Sequence, residues 1–272
     1  MADRFIRYET DDKIGIITLD RAEKLNAISG EVREQLTEAF IDADLDEATS
    51  VVVLRGEGRA FCVGYDLTGG EPDKDPWRHD TLKWHRSLKR AVEFEMMPWY
   101  MRKPIIASVQ GHAVGAGCEI ALFCDLTIAA EGTKFGEPEI RFSEAGPALV
   151  MPWIIGFKRA RELLYFGDLI DAETALEFGM INKIVPASEL AEYTMKYARR
   201  LSLVDPEALV ATKQAITRGA DTGGFRNAMM AGLDAVAPLY AAKTASGRKF
   251  VEIARNQDLK AALAWRNGQF EE

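Results

Sequence analysis

The sequence predicts an α/β fold, and three observations predict it. Four short runs rich in Ile and Val, Ile14 to Leu19, Val51 to Arg55, Pro104 to Gln110 and Leu126 to Ala130, are bounded by Gly, Asp or charged residues, as buried strands are. An amphipathic helix pattern separates the first two runs. Beyond about residue 155 the pattern becomes almost wholly helical. Strands alternating with helices give an α/β architecture. The expected organisation is a sheet-rich core over residues 1–200 and a helical C-terminal region over 201–272.

Taken in order, the first run is followed by a helix that Ser29 can cap. Glu31 sits in its first turn, and Val32, Leu36, Ala39, Phe40 and Ala43 share one face. After the second run, residues 68–103 fit neither pattern. They join turn-like Gly69-Gly70-Glu71-Pro72 and Asp73 to Pro76 to Trp77, Trp84, Phe94, Met96, Met97, Trp99, Tyr100 and Met101. Such a segment is either a lid over a substrate or a core-packing helix that happens to be aromatic. The third run leads through a glycine-rich loop into the apolar stretch Ile120 to Cys124, which reads as a helix start.

In the helical part, Lys158 to Phe166 ends at Gly167, and Asp171 to Phe178 opens with a capping Asp and ends at Gly179. A short strand, Ile181 to Val185, follows. Ser188 to Leu203 and Pro206 to Arg218 are amphipathic helices, the second with Asp205 as cap and Pro206 at its first position.

Composition narrows the function. The chain has 272 residues, 47% apolar and 28% charged, which excludes a disordered or disulfide-stapled protein. Its net charge of -8 opposes phosphate-rich polymers, so neither nucleic acid nor an anionic membrane is expected as a partner. Cys62, Cys118 and Cys124 form no disulfide framework and no metal spacing, which fits a reducing, cytoplasmic setting and no metal. The charged N-terminus and the charges that break each apolar stretch, such as Glu119 and Asp125, predict a soluble, unprocessed chain.

The segment Gly111-His112-Ala113-Val114-Gly115-Ala116-Gly117-Cys118-Glu119 joins a strand to a helix start, where free amides can meet an anion. Ile120 occupies the place of the third glycine in a dinucleotide fingerprint, so that reading fails. No phosphate-loop or serine-nucleophile motif is present either. Glu119 reads locally as a helix-dipole partner or a surface acid, and Glu139, in Phe135-Gly136-Glu137-Pro138-Glu139-Ile140, as a loop acid. In Phe61-Cys62-Val63-Gly64-Tyr65-Asp66-Leu67, the corner can present the Tyr65 amide, or can be an ordinary turn with Asp66 as a helix cap.

Together these segments resemble the crotonase, or enoyl-CoA hydratase/isomerase, superfamily. The likeness runs through Ile17-Thr18-Leu19-Asp20-Arg21 with Leu25-Asn26-Ala27, Arg59-Ala60-Phe61-Cys62 to Asp66, and Pro104 to Asp125. It continues through Phe135 to Glu139 and Gly167 to Val185 to the closing Trp265-Arg266-Asn267-Gly268-Gln269-Phe270. The implied fold is a spiral of strand-strand-helix turns with a helical C-terminal appendage.

The resemblance implies that the backbone amides of Tyr65 and Ala116 hold a thioester carbonyl oxygen, and that Glu119 and Glu139 hold one water and add its elements across a C2-C3 double bond. It places coenzyme A near Lys24, Leu25, Ala27, Val63 and Tyr65, with Arg248, Lys249 or Arg266 as further candidates for its phosphates. The implied substrate is an acyl-CoA thioester, with no other cofactor, and the implied assembly is a homotrimer or a hexamer of paired trimers. An enoyl-CoA isomerase, an acyl-CoA hydrolase, a catalytically silent binding subunit or an RNA-binding relative are the rival readings. Departures from the family pattern are Arg21-Ala22-Glu23 in place of an Arg-Pro pair, Tyr65 where a small residue is common, Ala116 in place of a glycine, and Arg141 to Pro147 with an extra carboxylate at Glu144.

Overall fold

In the computed structural model, which describes residues 4–68, 79–242 and 244–270, the apolar runs pair into one large sheet. Its strands are β1 (Ile6–Asp11), β2 (Ile14–Leu19), β3 (Val51–Gly56), β4 (Ile105–Val109), β6 (Leu126–Ala130) and β9 (Lys183–Val185), in the order β1-β2-β3-β4-β6-β9. β1 and β2 form an antiparallel hairpin, and every later pairing is parallel. A second sheet of β5 (His112–Val114), β7 (Lys134–Gly136) and β8 (Ile170–Asp171) is ordered β5-β7-β8. Strand β5 follows β4 and strand β7 follows β6, so successive turns add one strand to each sheet, as the expected spiral requires. An isolated bridge from Cys62 to Ala113 adds the loop after β3 to the edge of the small sheet.

The helices in chain order are α1 (Gly30–Leu45), α2 (Thr81–Glu95), α3 (Met97–Tyr100), α4 (Ala116–Phe123), α5 (Met151–Ile155), α6 (Phe157–Phe166) and α7 (Ala172–Glu177). The C-terminal part adds α8 (Leu190–Leu201), α9 (Pro206–Thr222), α10 (Phe225–Ala242), α11 (Ala245–Asn256) and α12 (Leu259–Asn267). Among the described residues no helix is long and apolar enough to cross a membrane.

Both faces of the large sheet are covered, which is why its parallel strands read as mainly apolar runs. Val51 and Val53 point to one side, onto Leu190 and Ala198 of α8, while Val52 and Leu54 point into the main core with α1, α4 and α10. The Ser29 hydroxyl accepts from Val32 N and caps α1; Asp171 and Asp205 cap α7 and α9 in the same way.

The C-terminal helices are divided in their packing. Phe225, Met229, Leu233 and Ala237 of α10 belong to the main core, whereas Phe250, Ile253 and Ala262 of α11 and α12 make a small core of their own with Phe142 against it. Helix α9 is tied to the body through Lys213. Its buried Nζ donates to Pro98 O at 2.8 Å, Lys103 O at 3.0 Å and Asp125 Oδ2 at 2.6 Å. Removing one partner of a buried pair leaves the other charge uncompensated, at a cost of about 3–5 kcal/mol. Lys213→Met should therefore lower the denaturation midpoint markedly; an unchanged midpoint would show that α9 docks without this pair.

Among the described residues, the segment 68–103 follows the core-packing reading. Gly69 to Pro76 and Trp77 lie outside the described residues. Phe94 and Met96 are buried in the main core, Trp99 stacks on Phe225 with ring centroids 4.5 Å apart, and Tyr100 is exposed, with its hydroxyl on Asp221. These side chains fill or rim the core. Trp84 also packs against the main core, 5.0 Å from the ring of Tyr240.

Candidate active site

The site is built where the loop after β3 meets the start of α4. Ile28 N donates to Gly64 O at 2.8 Å, and Asp66 N donates to Ile28 O at 3.0 Å, which clamps the Gly64–Asp66 strip on one side. On the other side, a Cβ on Gly64 would fall 2.9 Å from Val114 O and 3.3 Å from Ala116 N, so the absence of a side chain lets the two segments touch. Gly64 has φ +85, a conformation L side chains rarely adopt. Asp66 caps no described helix: its carboxylate pairs with Arg21 at 2.7 Å, and Arg21 also donates to Ala27 O at 3.0 Å. The Lys24–Ala27 turn thus lies beside Tyr65, with Lys24 exposed, Leu25 half-buried and Ala27 buried; Val63 is half-buried on the facing strip.

Helix α4 starts at Ala116, four residues before the apolar run that announces it. Gly111 and Gly115 in this loop have positive φ, at +64 and +57, and Ala116 does not. Among the described residues, neither the Tyr65 nor the Ala116 amide has an acceptor. Two unclaimed donors therefore converge at a helix N-terminus, where the dipole also favours negative charge.

Two carboxyl groups flank these donors. Glu119 lies one turn along α4, is only 1% exposed, and accepts from Ala148 N at 3.2 Å. Glu139 stands in the 3-10 turn Pro138–Phe142; a Cβ on Gly115 would fall 2.2 Å from its Oε1, so its carboxyl lies directly over Gly115. Burial pushes the Glu139 carboxyl up to about 7. Burial, and after it the neighbouring Glu95, Glu137 and Glu139, hold Glu119 well above the usual carboxylate range. The structure thus brings Tyr65, Ala116, Glu119 and Glu139 to one place.

Three further groups share that place. Glu95, at the end of α2, is fully buried and accepts from the Tyr65 hydroxyl at 2.6 Å; burial pushes it up to about 8. Glu137 is buried with neither oxygen hydrogen-bonded, raised by burial and then by Glu139. A Cβ on Gly146 would fall 2.7 Å from an oxygen of Glu119 and 2.7 Å from one of Glu137. Tyr240 of α10 donates to Ala145 O at 2.8 Å and is raised by burial and by Glu144, Glu139, Glu119 and Glu95. Sequence reasoning assigned none of these three a role. Glu95 did carry a signal, since it stands seven residues after Leu88 on the face that Leu88, Ala91 and Val92 bury.

A cavity of about 440 Å³ opens beside Tyr240 and Glu144, walled by Leu67, Phe142, Leu239, Phe250 and Leu259. Arg266 is not a solvated charge available to phosphates. It is 8% exposed, lies over the Phe142 ring at 5.2 Å and faces Glu139, whose ionisation it favours. Arg248 and Lys249 are exposed on α11, and Lys249 pairs with Glu252 at 3.3 Å. Among the described residues, no group of His, Cys, Asp or Glu is arranged to hold a metal ion.

The enoyl-CoA hydratase/isomerase family model matches residues 9–237. A putative enoyl-CoA hydratase of Mycobacterium tuberculosis, EchA13, is 34% identical over 245 residues, covering 83% of this chain and 77% of its own. The (E)-benzylidenesuccinyl-CoA hydratase of Thauera aromatica is 33% identical over 220 residues, covering 79% and 83%. Among solved structures, an enoyl-CoA hydratase/isomerase from Xanthobacter autotrophicus Py2 superposes with a TM-score of 0.93 at 34% identity over 99% of both chains. An enoyl-CoA hydratase from Mycobacterium smegmatis superposes with a TM-score of 0.90 at 27% identity, covering 98% and 94%. With two sheets growing by successive turns and a matched segment that contains Tyr65, Ala116, Glu119 and Glu139, this chain belongs to the enoyl-CoA hydratase/isomerase family.

Proposed function

We propose that the protein adds water to, or removes it from, the C2-C3 double bond of an α,β-unsaturated acyl-CoA thioester. The observation that carries this reading is the meeting of Glu119 and Glu139 over the start of α4, beside the free amides of Tyr65 and Ala116. Hydration needs a base to take a proton from water as its oxygen attacks C3, and an acid to deliver a proton to C2. Two carboxyl groups, one ionised and one protonated, supply both. The two amides hold the thioester oxygen as enolate-like charge builds on it, which removes no proton and needs no reorganisation. A double-bond isomerase needs only one such group.

Coenzyme A, carried by the substrate, is the only cofactor invoked. Its contacts are assigned to Lys24, Leu25, Ala27, Val63 and Tyr65, along the strip held by the Ile28–Gly64 hydrogen bond. Cys62, Cys118 and Cys124 are buried and unbridged, which supports a cytoplasmic enzyme.

The acyl group extends into the cavity beside Tyr240, which favours a chain longer than four carbons, branched or cyclic. Apolar burial adds roughly 25 cal/mol per Å² before ordering costs. The relative from Thauera aromatica is named for a substrate with a benzylidene group, in line with a roomy pocket. The test is kcat/KM for hydration across linear, branched, alicyclic and aromatic enoyl-CoA thioesters. A bulkier substrate should surpass crotonyl-CoA; the reverse order would remove the cavity from the acyl site.

The 201–272 region is assigned to assembly into a homotrimer or a hexamer of paired trimers. Leu203, Val204 and Ile216 are exposed on or before α9, where a second copy would cover them. Light scattering should give a trimer or hexamer mass, and a monomer at working concentration would contradict the assignment.

A further inference from the structure

Glu95 has no part in the two-carboxyl scheme, yet it is built into it. On the buried face of α2 an apolar residue would fit more cheaply, because a carboxyl group without a cation loses its hydration. The groups that face Glu95 are Tyr65 from the loop after β3, Glu119 from α4, and Glu137 and Glu139 from the segment after β7, with Cys62 and Tyr240 beyond them. The Tyr65 hydroxyl occupies its Oε1 at 2.6 Å. Its carboxyl group lies within hydrogen-bonding reach of that of Glu119, and the Oε2 atoms of both have no other partner. Glu119 Oε1 is taken by Ala148 N. Two buried carboxyl groups in contact hold a proton between them, since ionising both sets like charges side by side.

The geometry points to Glu95 as a positioning residue: anchored by the Tyr65 hydroxyl, it shares one proton with Glu119 and so fixes the orientation and protonation of that carboxyl. The inference rests on the assignment of Glu119 to the water-holding pair. Tyr65 then serves the site twice, through its amide on the substrate oxygen and through its hydroxyl on Glu95.

Infrared pH titration of the substrate-free protein reads the shared proton without any assay. A protonated-carboxyl band present at neutral pH should weaken in Glu95→Gln and in Glu119→Gln, and the double variant should lose no more than either single one. Additive losses, or no loss in Glu95→Gln, would overturn the sharing. The role in positioning is read from kinetics on an enoyl-CoA that the wild type hydrates. Glu95→Gln should lower kcat about 10–100-fold, as loss of a partner behind a functional group does, with KM little changed. The limb of the kcat profile set by the pair should move to lower pH, because an amide beside Glu119 favours its ionised form. Tyr65→Phe deletes only a hydroxyl, and by removing a donor to Glu95 it should move the same limb to higher pH. It keeps the inference testable if Glu95→Gln fails to fold. Normal kcat with an unmoved profile in a folded Glu95→Gln protein, or an unmoved limb in Tyr65→Phe, would remove Glu95 from the mechanism. A wild type that hydrates no enoyl-CoA would sink the hydratase reading, while the infrared result would still decide the shared proton.

Discussion

Replacing either Glu119 or Glu139 by glutamine should lower kcat for hydration of an enoyl-CoA by roughly 10²–10⁴-fold, the usual worth of a positioned acid or base. The amide has the size of the carboxyl group, and it relieves repulsion among Glu95, Glu119, Glu137 and Glu139, so neither variant should lose its fold. Circular dichroism and thermal melting check that point alongside steady-state kinetics. If one variant hydrates normally while the other is dead, a single carboxyl does the work and an isomerase becomes the better reading.

Gly115→Ala should cost nearly as much activity as the loss of Glu139 itself. Gly115 has φ +57 and ψ -131, where an L residue is strained by about 1–3 kcal/mol. The added Cβ would lie 2.2 Å from Glu139 Oε1, so the carboxyl has to leave its place over the start of α4. A loss in kcat of about 10²-fold or more is expected, together with a lower melting temperature. Gly30→Ala is the control, because a Cβ at Gly30 meets nothing within 4 Å, and it should keep full activity. Wild-type turnover in Gly115→Ala would show that Glu139 is not held where the chemistry needs it.

Legibility in the sequence followed the physics of burial. The strands Ile14–Leu19 and Leu126–Ala130 have the expected limits because both sheet faces are covered and the runs are buried and mainly apolar. β1 is not legible because Ile-Arg-Tyr-Glu-Thr-Asp is an edge strand, only partly buried and rich in polar residues. Strands β5, β7 and β8 have only two or three residues, too few to show a period. The glycine-rich loop was legible for a similar reason to the strands, since its glycines answer to close backbone approaches, Gly111 to Arg59 O and Gly117 to Cys62 O.

The rest of the site depends on contacts between segments far apart in the chain. Glu119 reads locally as a helix-dipole partner or a surface acid and Glu139 as a loop acid, and only their motif context set them apart. Tyr240 reaches the carboxyl cluster because α10 packs along α2, a contact that no local pattern records. The same holds for Arg266, whose place over Phe142 depends on how α12 folds back on the turn after β7. The partners of the aromatic segment could not be read from sequence either, since Trp84 meets Tyr240 and Trp99 meets Phe225, both on the distant helix α10.

The central claim is that a water molecule is added across C2-C3 while the thioester stays intact. Its most direct test is to react an enoyl-CoA with the protein in water doubly labelled with deuterium and oxygen-18, and to locate both labels in the product by mass spectrometry. The account predicts one oxygen-18 in a hydroxyl group at C3 and one deuterium at C2, with coenzyme A still attached. Oxygen-18 in a released carboxylic acid would mean hydrolysis, and deuterium exchange with a shifted double bond and no oxygen-18 would mean isomerisation; either result would contradict it.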